Sequence, residues 1–180
     1  MRICRENSIG LIVDLQEKLF PVIAEKEALM TNCIKLIEGL QMLNIPLKVT
    51  QQYSKGLGPT IPEISSLIQP FTYIEKSSFS ALDEAIFRNS LAESGKWSVL
   101  ICGIESHVCI LQTAIDLKTE GYEPVVIVDC ISSRELSEKH TALNRFNQEG
   151  ILISTVESIL FELTRSSSAS EFRSISKLVK

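Results

Sequence analysis

The sequence predicts an α/β fold: a three-layer αβα sandwich built on a doubly wound, six-stranded parallel sheet. Three observations predict it. Six short apolar runs alternate with amphipathic segments along the chain. Several runs close on a polar or charged residue, as buried parallel strands do where they reach the rim of a sheet. The 180 residues, 44% hydrophobic, suffice for one full-sized core. The chain reads as one domain over residues 1–165 followed by a tail, 166–180, with no internal repeat.

Ile9 to Val13 is the first strand and closes on Asp14. After a connection containing Pro21, a helix runs from about Glu27 to Leu43, with Leu29, Cys33, Leu36, Ile37, Leu40 and Leu43 on one stripe. Ile45 to Thr50 is the second strand. QQYSKGLGPTIP, residues 51–62, is a loop by its Gly and Pro content. A turn or two of helix follows over Glu63 to Ile68. Thr72 to Glu75 is a short third strand with Lys76 at its end, and KSSFSALD leads into a helix from about Leu82 to Ala92, stopped by Gly95.

Ser98 to Cys102 is the fourth strand. It turns at Gly103 into a helix starting at about Ser106, running to Glu120 and capped by Gly121. Pro124 to Val128 is the fifth strand, ending on Asp129, which with Ser132, Ser133 and Arg134 reads as a structural turn. Ser137 is placed to cap a helix carrying Leu143 and Phe146 that stops at Gly150. Ile151 to Ile153 is the sixth strand. Ser154 with Glu157 resembles a capping box before the stripe Val156, Ile159, Leu160 and Leu163. In the tail, Phe172, Ile175 and Leu178 recur at helical spacing. The simpler reading is a short helix packed on its own chain, and the sharper one is an arm docked on a neighbour.

Composition excludes several classes. A net charge of −4 with acidic and basic residues interspersed gives no footprint for nucleic acid or an anionic membrane. The longest apolar runs are strand-sized, too short for a transmembrane helix. MRICRENS lacks the apolar region of a signal peptide, so a cytoplasmic protein is expected. The five cysteines are odd in number, scattered and without a CxxC pair, which fits thiols in a reducing compartment. His107 and His140 match no common zinc spacing, so no metal and no cofactor are expected.

In a doubly wound sheet, ligands bind beyond the C-terminal strand ends at the point where the strand order reverses. Asp14, Lys76 and Cys109 all follow such ends and therefore share one rim. Cys109 falls in the first turn of its helix, where free N–H groups and the dipole favour a thiolate and a lowered pKa. It is equally read as a small core residue. A nucleophilic cysteine needs a base or a cation beside it. His107, two residues away on a helix, faces elsewhere, and His140 reads as solvent-exposed. Asp14 is the better base, and Lys76 would steady a thiolate, although each alone also reads as a loop cap or a solvated lysine. Gln16 either orients Asp14 or caps the loop. Tyr53 and Phe79, aromatics on rim loops, are either pocket walls or ordinary packing. Cys102 and Cys130 read as core.

Taken together, LIVDLQEKL, EKSSFSAL and, most specifically, CGIESHVCILQTAIDL resemble the isochorismatase-like cysteine hydrolases, which include nicotinamidases and N-carbamoylsarcosine amidase. The resemblance runs from Ile9 to about Leu163. TQQYSKGLGPT and VDCISSR are similar to the metal-free, isochorismatase-domain-containing branch. The resemblance implies Asp14 as general base and later acid, Lys76 as the cation and Cys109 as the nucleophile. It also implies a non-proline cis peptide at Ile104–Glu105, and an oxyanion hole from the N–H groups of Glu105 and Cys109. A small molecule would lose a C–N bond through a covalent thioester, and the protein would be at least a dimer. Two departures narrow this. The loop after the second strand lacks the Asp-x-His motif that carries the metal of nicotinamidases, and the presence of Cys109 argues against vinyl-ether cleavage of isochorismate. The competing reading is a catalytically silent scaffold with a redox-sensing thiol. A flavodoxin-type nucleotide module is disfavoured, because DLQEKL has no glycine to cradle a phosphate.

Overall fold

The computed structural model describes residues 1–180. Its six strands are β1 (Ser8–Val13), β2 (Leu47–Gln52), β3 (Ile74–Lys76), β4 (Ser98–Ile104), β5 (Glu123–Ser132) and β6 (Leu152–Ser154). They form one all-parallel sheet in the order β3-β2-β1-β4-β5-β6. The helices are α1 (Lys26–Met42), α2 (Ser54–Leu57), α3 (Pro62–Ser65), α4 (Ala85–Glu93), α5 (Leu111–Thr119), α6 (Leu136–Gln148), α7 (Val156–Thr164) and α8 (Phe172–Val179). This is the three-layer, doubly wound α/β architecture that the alternating pattern predicts. Strand order reverses between β1 and β4, so the crevice lies at the C-terminal ends of those two strands.

Both central strands are buried along their whole length, and their side chains divide by the two-residue period of a strand. Ile12, Leu100, Cys102 and Ile104 face a core closed by Leu36, Ile37 and Leu40 of α1 and by Ile159, Leu160 and Leu163 of α7. Ile9, Leu11, Val13, Val99 and Ile101 face the opposite core, closed by Phe87 of α4, Ala114 of α5 and Phe146 of α6. The contact between β1 and β4 tightens at Gly103. That residue has φ +121°, and a Cβ there would stand 2.0 Å from the Val13 carbonyl oxygen, so only glycine fits.

The structure corrects several boundaries. β4 runs two residues past Cys102, and β5 does not stop at Asp129. Ile101 opposes Val126 and Gly103 opposes Ile131, so β5 bulges between these pairings and then rejoins the sheet. The bulge turns the Asp129 carboxylate onto the start of α7, where it accepts from Val156 N at 3.0 Å. Thr155, rather than Ser154, caps α7 by accepting from Ser158 N. α6 begins at Leu136 without a side-chain cap, so Ser137 lies inside it. The loop after β2 holds two single-turn helices, α2 and α3.

The tail forms α8. Its buried Ile175 packs into the core beside α1 and α7, and Arg5 Nη1 holds Glu171 at 2.9 Å. The apolar stripe of the tail is thus used within the chain.

Candidate active site

Asp14 directly follows β1 in the left-handed conformation, φ +52°, which aspartate tolerates better than most residues. The chain turns there at once: Gln16 N donates to the Asp14 carbonyl at 2.7 Å. The fully buried carboxylate accepts from Thr50 Oγ1 through Oδ1 at 2.8 Å, and its Oδ2 lies 2.7 Å from Lys76 Nζ. Lys76 ends β3 and is only 1% exposed. A buried ammonium must satisfy its donors or lose its charge. Lys76 Nζ has Asp14, Gln52 Oε1 at 2.5 Å, and the carbonyls of Ser78 and Phe79 at 3.2 and 3.3 Å. Its remaining neighbour is Cys109 Sγ, at 3.5 Å. Residues separated by most of the chain therefore meet around one nitrogen.

Cys109 lies within a wide π turn, Ser106–Ile110, that precedes α5, where sequence reasoning expects an ordinary first helical turn. The turn is closed by Ile110 N donating to the Glu105 carbonyl at 3.2 Å. The thiol does not have the lowered pKa expected at a helix N-terminus. Burial, with the Asp14 carboxylate adding to it and Lys76 opposing, pushes Cys109 up to about 12. Cys109 is buried, and at neutral pH its thiol holds its proton.

The other residues singled out from the sequence fall into two groups. The Ile104–Glu105 peptide is cis and joins β4 to the Cys109 turn. Tyr53 follows β2 and Phe79 lies three residues beyond Lys76, and both are more than half exposed, at 58% and 53%. Tyr53 N donates to the Lys76 carbonyl, and the Phe79 carbonyl accepts from Lys76 Nζ. Gln16 is buried, and its amide is engaged by backbone alone: Nε2 donates to the carbonyls of Gln52 and Gly58, and Oε1 accepts from Gln52 N. Its side chain holds the loop and makes no bond to the Asp14 carboxylate. His107 turns away to Ser133, with Nδ1 2.9 Å from Oγ.

Gln52 is the residue that sequence reasoning missed. It pairs with Lys76 in the β2–β3 register, accepts from the ammonium and donates to the Ser77 carbonyl at 2.8 Å. The signal was weak, since the second of two glutamines entering a loop has no distinctive pattern. Residues 53–62 offer neither histidine nor carboxylate, and no three His, Cys, Asp or Glu side chains are grouped to hold a metal.

An acid, an ammonium and a thiol held at the reversal point of a parallel sheet define the type of site this fold builds. Residues 8–158 match the isochorismatase domain, and the chain belongs to that family, a family of hydrolases. It is 37% identical to the isochorismatase domain-containing protein 2A of Mus musculus over 179 residues, covering 99% of this chain and 85% of that protein. The secreted isochorismatase effector Isc1 of Phytophthora sojae is 34% identical over 183 residues, covering 99% and 87%. Among solved structures, the MAR1 ribonuclease from Caenorhabditis elegans superposes with TM-score 0.93 at 34% identity, over 99% of this chain and 92% of that one. The YcaC gene product of Escherichia coli, titled an octameric hydrolase of unknown specificity, shares the fold with TM-score 0.93 at 24% identity, over 99% and 89%.

Proposed function

We propose that the protein is a cysteine-dependent hydrolase that cleaves the C–N bond of a small amide-like molecule with Asp14, Lys76 and Cys109 as its triad. The observation that carries this reading is that one buried ammonium touches both the buried acid and the thiol, at 2.7 and 3.5 Å. Asp14 takes the thiol proton as the sulfur attacks the carbonyl carbon, and Lys76 offsets the charge left on sulfur. The backbone N–H groups of Glu105 and Cys109 hold the oxyanion, an arrangement in which each donor is worth about 3 kcal/mol of barrier. Asp14 then protonates the leaving nitrogen, the C–N bond breaks, and an amine departs from the thioester. Water, giving its proton to Asp14, attacks the acyl carbon. The carboxylic acid is released, and the thiolate recovers the proton.

The elevated thiol pKa suits this sequence. The proton that must reach the leaving nitrogen is stored on sulfur until substrate arrives. Tyr53 and Phe79 form the walls of the substrate site, and Gln16 fixes the loop beside them. The net charge of −4 and the buried triad favour a small molecule over a polynucleotide, although one relative is titled a ribonuclease. Assembly into a homo-oligomer is part of the proposal, supported by the octamer named for YcaC and by exposed Ile86. No helix is long and apolar enough to cross a membrane. Five unpaired thiols fit a reducing cytoplasm.

The test is turnover of a panel of small amides and ureido compounds by the wild type and by Cys109→Ala, with mass spectrometry of acid-quenched protein. Amine release and an acyl adduct on Cys109, both absent from the variant, are expected. Amide hydrolysis surviving in Cys109→Ala overturns the mechanism. Oxidation of Cys109 by peroxide without turnover of any amide points instead to the redox-sensing scaffold.

A further inference from the structure

The π turn that carries Cys109 does not rest on helical hydrogen bonds alone. It is strapped at two points to the segment leaving β5. Glu105, the residue before the turn, is bound through Oε2 by both Arg134 N, at 3.0 Å, and Arg134 Nε, at 3.1 Å. Two residues later, His107 Nδ1 meets Ser133 Oγ at 2.9 Å. The same segment is fixed from below, where Ala24 N donates to the Ser133 carbonyl at 3.0 Å and Ser132 Oγ donates to the Ala24 carbonyl at 2.8 Å. Glu105 therefore works in two directions. Its carboxylate is anchored on Arg134, while its carbonyl accepts from Val108 N and Ile110 N and so closes the turn around Cys109.

We propose that the Glu105 carboxylate and Arg134 are positioning residues for catalysis: their ion pair, with the His107–Ser133 bond beside it, sets where Cys109 Sγ stands relative to Lys76 Nζ. Neither side chain is among the hydrogen-bond or ion-pair partners of Asp14, Lys76 or Cys109, so both act through the turn. The Arg134 side chain is 63% exposed and that of Glu105 13%. An exposed ion pair between flexible groups usually contributes little to folding. This one differs because its carboxylate is largely buried and also takes a backbone N–H, which gives it a fixed address. Displacement of a reacting atom by about 1 Å lowers rates by about a hundredfold even when nothing at the reacting centre has changed. The inference rests on the hydrolase reading above, and deepens it by naming what holds the nucleophile.

The experiment is a graded series on the full-length protein: Arg134→Ala removes the guanidinium donor, Glu105→Gln keeps the shape without the charge, and Glu105→Ala removes the acceptor. All three retain the Glu105 backbone N–H. Arg145→Ala breaks an exposed pair with Glu149 on α6 and serves as the control. Two readouts are taken on folded protein: kcat and KM for an amide turned over by the wild type, and the rate of Cys109 alkylation by iodoacetamide at pH 8. The expected result is a fall in kcat of about threefold, tenfold and a hundredfold along the series, with KM within about twofold. Alkylation moves the opposite way and quickens in the same order, because a loosened sulfur is better solvated and ionises more readily. Arg145→Ala changes neither. The proposal is overturned if Glu105→Ala alkylates and turns over like the wild type, or if Arg134→Ala matches Arg145→Ala in both readouts. Alkylation needs no turnover, so the strap stands or falls even if no amide proves to be a substrate.

Discussion

Cys109 and the trio Cys33, Cys102 and Cys130 place the same side chain in two regions of one molecule. Cys33 from α1, Cys102 from β4 and Cys130 from β5 interact with one another in the core, with Cys33 Sγ 3.6 Å from the Cys130 carbonyl. All four thiols are pushed to high pKa, Cys109 to about 12 and Cys130 to about 11, with burial among the causes each time. Burial therefore does not distinguish Cys109 from the trio. What separates the regions is the company. Cys109 has an ammonium at 3.5 Å and a carboxylate behind it, whereas the trio has mainly other thiols and backbone. On the hydrolase reading proposed above, the difference teaches that Cys109 serves as nucleophile by having somewhere to send its proton, not by starting as a thiolate.

The largest expected effect tests that contrast directly. Cys109→Ser should lower turnover by about 10⁴-fold or more, as loss of a nucleophile does in triad enzymes. Cys33→Ser should leave the rate per folded molecule within about twofold, measured by steady-state kinetics after titration of folded protein. Equal losses in the two variants would erase the distinction between the regions.

Stability should divide the other way. Lys76→Met strands the Asp14 carboxylate without a counter-charge, which should cost about 3–5 kcal/mol in urea unfolding. Asp14→Asn combined with Lys76→Met should recover part of that loss, because the amide needs no cation. Cys102→Ala, which removes one buried sulfur from an uncharged cluster, should cost about 1–2 kcal/mol. A Lys76→Met variant as stable as the Cys102→Ala protein would show that the ion pair is not dry.

The pH dependence sharpens the comparison further. A thiol with a pKa near 9 in the unfolded chain and about 12 in the folded one binds its proton more tightly when folded. Its contribution to stability is complete below pH 9 and is lost as pH rises toward 12, at up to about 1.4 kcal/mol per pH unit. Cys130 behaves alike between about 9 and 11. Unfolding free energies measured from pH 8 to 10.5 should therefore fall, less steeply in Cys109→Ala and in Cys130→Ala. The smallest effect is on labelling. In the native wild type, iodoacetamide should reach Cys109 before the trio, at a rate rising about tenfold per pH unit as the thiolate fraction grows.

Much of this was legible in the sequence. The strands announce themselves because both faces of a parallel sheet are covered, so their apolar runs are continuous. Asp14, Lys76 and Cys109 stand out because each follows such a run, and a parallel sheet brings those ends to one rim. What could not be read depends on contacts between segments with no local pattern. The Arg134 guanidinium finds Glu105 across 29 residues, and Gln52 finds Lys76 across 24. The bulge in β5 hides in VDCIS, where apolar and polar residues follow one another without announcing a break in register. The direction of the Cys109 shift was misjudged for the same reason. A helix terminus is visible in sequence, while the burial that outweighs it belongs to the assembled core.

Gly103 carries a consequence of its own. With hydrogen as its only side chain, β4 lies against β1 at the residue before Asp14, two positions before Glu105. Asp14 and Glu105 leave adjacent strands from almost the same height, so the spacing of the two strand ends is gauged by that hydrogen. Even a methyl group there would act as a wedge, parting the strands just before Asp14 and the turn that carries Cys109.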